Sequence, residues 1–215
     1  MEAYTHIAWD FNGTILNDLN ASLSAANALL EQYGLPLLKD LDAYREVFGF
    51  PVIDYYRRIG FDFDRISYEV LAPEWVAYYK HFAKDVSYFP EIPRILEEFR
   101  RAGLRQIIVT ASYRGLIEEQ LKELGIGNYF NELLALDNIH AESKTALAAR
   151  WREQNPTAHV LFIGDTEHDL ETAHAMGADC LLVGSGHRPY HALCQCKEAS
   201  VVHDLSEVSI SVLEK

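Results

Sequence analysis

Residues 7–14 read Ile-Ala-Trp-Asp-Phe-Asn-Gly-Thr. An apolar run ends on a carboxylate, Asp10, and a Gly-Thr turn follows at once. That order places Asp10 at the C-terminal edge of a strand, where open α/β sheets bind their ligands. A carboxylate held there is a candidate nucleophile, because a covalent intermediate splits one hard displacement into two easier ones. Three other segments carry polar groups in comparable settings. Thr110 ends the apolar run Ile107-Ile108-Val109. Lys144 follows Ser143 and opens a helical pattern. Asp165 follows Phe162-Ile163-Gly164, with Asp169 four residues on, one helical turn away. Asp165 and Thr166 also suit a helix N-cap, and that reading is compatible with a functional one.

Taken in order, these four segments resemble the motifs of the haloacid dehalogenase superfamily. Asp10-Phe11-Asn12-Gly13-Thr14 is similar to the first motif, Ile107-Ile108-Val109-Thr110 to the second, and Lys144 to the third. Gly164-Asp165-Thr166-Glu167-His168-Asp169 is similar to the fourth. The resemblance spans nearly the whole chain and looks closest to small phosphoglycolate-phosphatase-like members. It implies an α/β fold, a doubly wound, Rossmann-like parallel sheet with an α-helical cap inserted after the first motif. It implies Mg²⁺-dependent hydrolysis of a small phosphate ester through an aspartyl-phosphate on Asp10. The catalytic set carried over is Asp10, Asn12, Thr110 and Lys144. Thr110, Lys144 and the amides of Ala111 and Ser112 would hold the phosphoryl oxygens, as backbone donors opening a helix suit an anion. The metal would take the Asp10 side chain, the Asn12 backbone carbonyl and Asp165, hard oxygen donors of the kind Mg²⁺ selects. Asp169 would join that site by orienting a metal-bound water or Lys144.

Asn12 departs from the pattern. The family's phosphatases carry an Asp there, which protonates the leaving oxygen and then takes a proton from water. Such help contributes roughly 10²–10⁴-fold. An amide can do neither. Asp18, Tyr55 and Tyr56 are candidates to replace the lost group. Two other functions therefore stand beside hydrolysis of an ester. One is a weakened relative that binds a phosphorylated ligand without efficient turnover. The other is a phosphonatase-like C–P hydrolase, which needs a cap lysine for a Schiff base; Lys39, Lys80 and Lys84 are available. A dehalogenase needs no metal and leaves Asp165 and Asp169 unexplained.

Other polar and aromatic residues have two readings each. Arg114 either assists the phosphate loop or is an exposed helix arginine. His168 either reaches the metal's surroundings or is solvated. His187 and His191 flank Pro189 and read as loop polars. Trp75, Tyr78, Tyr79 and Phe82 repeat at helical spacing, as a substrate cage or as the packed core of the insert. Phe48-Gly49-Phe50-Pro51 reads as a substrate-facing turn.

Short apolar strands must carry these groups. The pattern predicts them near Thr5–Trp9, Arg105–Thr110, Leu133–Leu136, His159–Ile163 and Asp179–Val183, most followed by helical spacing, the sign of a parallel sheet with crossover helices. A short strand near Ser200–Val202 and a final helix are expected to close the chain. Pro90 to Phe99 reads as a helix with Pro early, and Gly103 stops it. Between the first two strands no strand pattern occurs; Ala21–Gln32 and Tyr68–Ala83 have helical spacing. The expected division is a core of residues 1–17 and 89–215 with a helical cap of 18–88.

The chain has 215 residues, 49% of them hydrophobic, enough for a real core beside an insert. Its formal charge of −13 argues against nucleic acid and anionic membranes, which favour basic patches. Cys194 and Cys196 form a lone Cys-x-Cys, too little for a zinc site. No apolar run approaches the ~20 residues of a membrane span, and no basic-then-apolar leader is present. The expected setting is cytoplasmic, the expected partner a small phosphorylated metabolite, and the expected state a monomer or homodimer.

Overall fold

The computed structural model describes residues 3–137 and 143–214. Six strands form one parallel sheet: β1 (His6–Trp9), β2 (Arg105–Tyr113), β3 (Glu132–Leu136), β4 (Val160–Gly164), β5 (Asp179–Val183) and β6 (Ser200–Val202). Their spatial order is β3-β2-β1-β4-β5-β6. β1 therefore lies between β2 and β4, with Trp9 opposite both Ile108 and Ile163. The strand order reverses between β1 and β4, and the crevice beyond such a switch point is where ligands enter an open sheet. This is the doubly wound α/β arrangement expected from the sequence.

The central strands are apolar throughout because both faces of the sheet are covered. Side chains alternate between those faces. Ile7, Trp9, Leu161 and Ile163 point to one layer, packed on Ile92, Ile95, Leu96 and Phe99 of α5 (Ile92–Arg101) and on α6 (Arg114–Leu124). Ala8, Val160 and Phe162 point to the other, packed on α7 (Lys144–Gln154) and α8 (Glu167–Met176). The i, i+3, i+4, i+7 spacing of the buried α5 residues is the reason that segment is a helix on this surface.

Between β1 and β2 the chain forms α1 (Leu19–Gln32), α2 (Leu41–Val47), α3 (Val52–Arg58) and α4 (Tyr68–Phe82). These helices bury Leu29, Leu30, Tyr44, Tyr55, Tyr56, Ile59, Phe61 and Leu71 among themselves. Ala21 and Ala25 of α1 pack with Tyr79 of α4, small residues that let the two helices close up. The two chain segments leading in and out are tied together: Asn17 N–H donates to the Ser87 carbonyl at 2.9 Å and Phe89 N–H to that of Ile15 at 3.0 Å.

Three details differ from the sequence pattern. β2 continues to Tyr113, so Ala111 and Ser112 extend a strand and the following helix starts at Arg114. β3 begins at Glu132 and β4 at Val160, each one residue from its predicted start. The C-terminus forms short 3₁₀ turns at Leu205–Glu207 and Ile210–Glu214 where a final helix was expected. Among the described residues, no helix is long and apolar enough to cross a membrane.

Candidate active site

Asp10 lies one residue past β1, with its amide donating to the Ile163 carbonyl of β4 at 2.9 Å. Adjacent strand ends thus bring Asp10 and Asp165 together although 155 residues separate them in sequence. Asp165 accepts from Thr14 Oγ1 at 2.7 Å and from the backbone amide of His187 at 2.6 Å. Asp169 is N3 of α8 and closes a capping box with Thr166: its Oδ2 accepts from the amides of Asp165 and Thr166 and from Thr166 Oγ1, at 2.8–3.0 Å. Its other oxygen faces Lys144. Lys144 Nζ donates to Asp169 Oδ1 at 2.5 Å and also to Asp10 Oδ1. Ser143 caps α7 by accepting from the Ala146 amide, which starts the helix so that Lys144 points inward rather than to solvent.

The electrostatics of this cluster follow from burial. Asp10, Asp165 and Asp169 can each offer an oxygen within 4.8 Å of the others, and all three are buried. One ammonium faces them. Burial pushes the Asp10 carboxyl up to about 8, with Lys144 opposing and the Asp169 and Asp165 charges adding. Burial likewise raises Asp165 to about 6, against the opposing charge of His187. For Asp169 burial acts upward, but Lys144 and the capping hydrogen bonds outweigh it and hold the carboxyl below its usual value. Lys144 is pulled above its ordinary range by the same two carboxylates, although burial opposes this. Three buried carboxyls against one lysine leave negative charge in excess. A divalent cation with oxygen ligands fits that donor set and that charge.

A second buried group lies beside the first. Asp18, at the start of α1, is 2% exposed. Its Oδ1 accepts from the Gly13 amide at 2.9 Å and stands 3.3 Å from His187 Nε2. Its Oδ2 accepts from Asn12 Nδ2 at 2.9 Å and from the Tyr79 hydroxyl at 2.7 Å. Asn12 Oδ1 accepts from Ser112 Oγ at 2.9 Å, and Ser112 N–H in turn donates to Thr110 Oγ1 at 3.1 Å. The other His187 nitrogen, Nδ1, pairs with the Tyr44 hydroxyl at 2.8 Å. Burial lowers the His187 imidazole, but the Asp18 charge and hydrogen bond, with Asp165 and Asp10, outweigh it and hold it at about 9. Burial raises Asp18, but His187 and the hydrogen bonds from Tyr79 and Asn12 hold it below its usual value.

Glycines make this crowding possible. Gly13 has a left-handed φ of +76°, and a Cβ there would collide with the His187 ring and the Asp165 carboxylate. A Cβ on Gly186 would strike Asp165 as well. The loop after β5 can therefore run against the Asp165 carboxylate and offer it a backbone amide.

The structure thus brings together Asp10, Asn12, Lys144, Asp165 and Asp169, with Thr110 and Ser112 joined to them through Asn12. Ala111 is exposed and stands in the strand extension. Arg114 pairs with Asp137 at 2.8 Å and sits 4.0 Å from Glu118. His168 is stacked under Phe50, centroids 4.6 Å apart, and bonds Glu171. His191 is exposed, 3.4 Å from Glu46. Tyr55 and Tyr56 are buried inside the helical insert. Trp75, Tyr78 and Tyr79 pack in the core of the insert, where Tyr79 stacks on Trp75 and reaches Asp18 and Tyr78 bonds Gln32, whereas Phe82 is exposed. Phe48 packs on the His187 ring at 4.9 Å. His187, read from sequence as a loop polar, is a buried wedge between the insert and Asp165. Its signal was positional: a Gly-rich loop leaving the C-terminal end of a core strand, the same setting as Asp10 and Asp165.

Residues 7–183 match the profile of a family described as haloacid dehalogenase-like hydrolase. A phosphoglycolate phosphatase of Neisseria gonorrhoeae is 30% identical over 83% of this chain and 78% of its own length. A haloacid dehalogenase-like family hydrolase from Streptococcus pneumoniae superposes with a TM-score of 0.82 at 20% identity, over all of both chains. A crystal structure described as a putative phosphoglycolate phosphatase from Lactobacillus delbrueckii does so with a TM-score of 0.79 at 18% identity, again over all of both chains. The two structures speak for the fold.

Proposed function

The chain belongs to the haloacid dehalogenase-like hydrolase family, and on that premise we propose that it is a phosphatase that hydrolyses a small phosphate ester through an aspartyl-phosphate on Asp10. The observation that carries this reading is the single lysine shared by Asp10 and Asp169, with Asp165 beside them. A surface ion pair has no need of three buried carboxyls at the ends of two neighbouring strands.

Asp10 is the nucleophile: one carboxylate oxygen attacks phosphorus and the ester oxygen leaves. Lys144 orients that carboxylate and adds a positive charge beside the phosphoryl group. Thr110 and Ser112, at the end of the strand beside β1, would hold the phosphoryl oxygens with the Ala111 and Ser112 amides, the Ser112 N–H exchanging its bond to Thr110 Oγ1 for the phosphate. Asp10, the Asn12 carbonyl and Asp165 would hold Mg²⁺, with Asp169 orienting a ligand water or Lys144. The cation would neutralise the repulsion between a phosphate dianion and the carboxylates. Helices α1–α4 act as a cap over this site, a unit of residues 18–88 set into a core of 1–17 and 89–215. Lids of this kind exclude water until chemistry is complete. The relatives named for phosphoglycolate support a small phosphorylated metabolite as substrate, and a cytoplasmic monomer or homodimer suits such a role.

A ligand-binding relative without turnover is the second reading, because Asn12 carries no acid or base. A C–P hydrolase is disfavoured, since Lys39, Lys80 and Lys84 are all exposed and none enters the site. Phosphate release over a panel of phosphometabolites, with and without Mg²⁺, decides between the first two. Release that stops with Asp10→Asn supports hydrolysis. Saturable ligand binding with no release supports the second reading.

A further inference from the structure

Asn12 has a hydrogen-bond partner at both ends of its side-chain amide, and its orientation is fixed by chemistry. The Asp18 carboxylate only accepts, so Asn12 Nδ2 must face it, at 2.9 Å. That leaves Oδ1 toward the Ser112 hydroxyl at 2.9 Å. Nδ2 also lies 3.0 Å from the hydroxyl of Tyr79, which itself donates to Asp18 at 2.7 Å. Tyr79 stands on α4, in the helical insert, and is 7% exposed. Its neighbour Tyr78 offers a useful contrast: that hydroxyl donates to Gln32 of α1 and stays within the insert. Among the described residues the Tyr79 hydroxyl bonds Asp18, at the N-cap of α1, and Asn12, in the loop just after Asp10 and outside the insert.

We propose that Tyr79 is a positioning residue for the reaction, joining the insert to Asn12 and, through Ser112, to Thr110. When α4 is seated on the core, its hydroxyl pins the Asn12 amide against Asp18. Asn12 then holds the Ser112 hydroxyl, and Ser112 N–H bonds Thr110 Oγ1. The loops that follow β1 and β2 are thereby set in register by a group from outside the core. When the insert lifts, Asn12 is parted from Tyr79 on α4 and from Asp18 at the N-cap of α1, the two groups that hold its amide. The site then has its full geometry only under the closed insert. An amide suits position 12 in this role because it donates to Asp18 and accepts from Ser112 at once. The inference rests on the phosphatase reading for its kinetic consequence and on geometry alone for its conformational one.

The experiment compares wild type, Tyr79→Phe, Asn12→Ala, the double variant and Tyr78→Phe with nitrophenyl phosphate and Mg²⁺. Phe keeps the ring that stacks on Trp75 at 5.1 Å. Tyr79→Phe is expected to lower kcat about tenfold with little change in KM, since small misplacement near reacting groups is costly. The loss should vanish when Asn12 is already Ala, and Tyr78→Phe should match wild type. An equal loss in both backgrounds, or none in either, overturns the proposal, because a packing role does not need Asn12. Amide exchange across Tyr68–Phe82 gives a reading free of activity. Tyr79→Phe should speed it about tenfold, as loss of a hydrogen bond to a charged group implies, while Ile92–Arg101 stays protected. Unchanged exchange overturns the proposal. If wild type releases phosphate from nothing, the phosphatase reading fails and exchange alone decides this one.

Discussion

The carboxamide nitrogen of Asn12 lies 2.9 Å from the carboxylate of Asp18. An amide and an acid are thus paired six residues apart, at the point where the chain leaves the core for the helical insert. The pair changes what a substitution at position 12 should do. Asn12→Asp alone would set two buried carboxylates against each other. We expect that variant to lose about 1–3 kcal/mol of stability in urea melts, the scale of a buried partner lost, and to gain little turnover. Asn12→Asp with Asp18→Asn restores one acid and one amide. That double variant removes the clash at position 12 but also the carboxylate 3.3 Å from His187, and it should raise turnover by up to about 10²-fold if acid-base help is the missing part. Equal turnover in both variants would count against the pairing.

Wild type should show a burst with an activated aryl phosphate. Nitrophenolate leaves without a proton, whereas water attacking the aspartyl-phosphate still lacks a base at Asn12. Rapid mixing should give about one equivalent of nitrophenolate per site and then a slow steady rate. A linear trace at ordinary phosphatase rates would mean that another residue supplies the proton.

Asp10→Asn and metal removal test different parts of the site. Asp10→Asn should cut turnover by at least about 10³-fold, as removal of a nucleophile does, and leave far-UV CD unchanged. Mg²⁺ should raise the melting temperature of wild type, since a ligand bound only to the folded state stabilises it. Activity that survives EDTA unchanged would remove the metal from the scheme.

Lys144→Met should be severely destabilising. Its ammonium is 3% exposed and faces two buried carboxylates. Breaking a buried pair by removing one partner costs about 3–5 kcal/mol. A urea midpoint shift well under that range would show that water reaches the site and solvates the carboxylates.

Stability should also depend on pH through His187. Its pKa is raised to about 9 in the folded protein, above the ordinary value of 6.5. The folded state therefore binds more protons than the unfolded one between these values. The stabilisation is fully present below pH 6.5 and is lost as pH rises through 9. Melts in EDTA should show that decline together with one from Asp10, whose raised pKa of about 8 acts in the same direction, and His187→Gln should make the decline shallower. A decline of the same slope in the variant would assign it to another group.

Much of this was legible along the chain. Apolar runs that stop on Asp10, Thr110 and Asp165 announce a parallel sheet with polar groups at its C-terminal edge, because a strand covered on both faces must be apolar until it leaves the sheet. Ser143 before Lys144 and Thr166 before Asp169 announce helix starts, because capping is local chemistry. The amide at position 12 was visible in the same way. What those residues touch was not. Asp18, Tyr79 and His187 meet at Asn12 and Gly13 only because strand order sets β1 beside β4, the insert folds back over that edge, and glycines at 13 and 186 let backbone approach a carboxylate. Hydrophobic spacing marks which side of α4 is buried, yet burial inside the insert and burial against Asp18 have the same period. The partner of a buried hydroxyl is a long-range property, decided when two layers dock, and no local pattern along the chain encodes it.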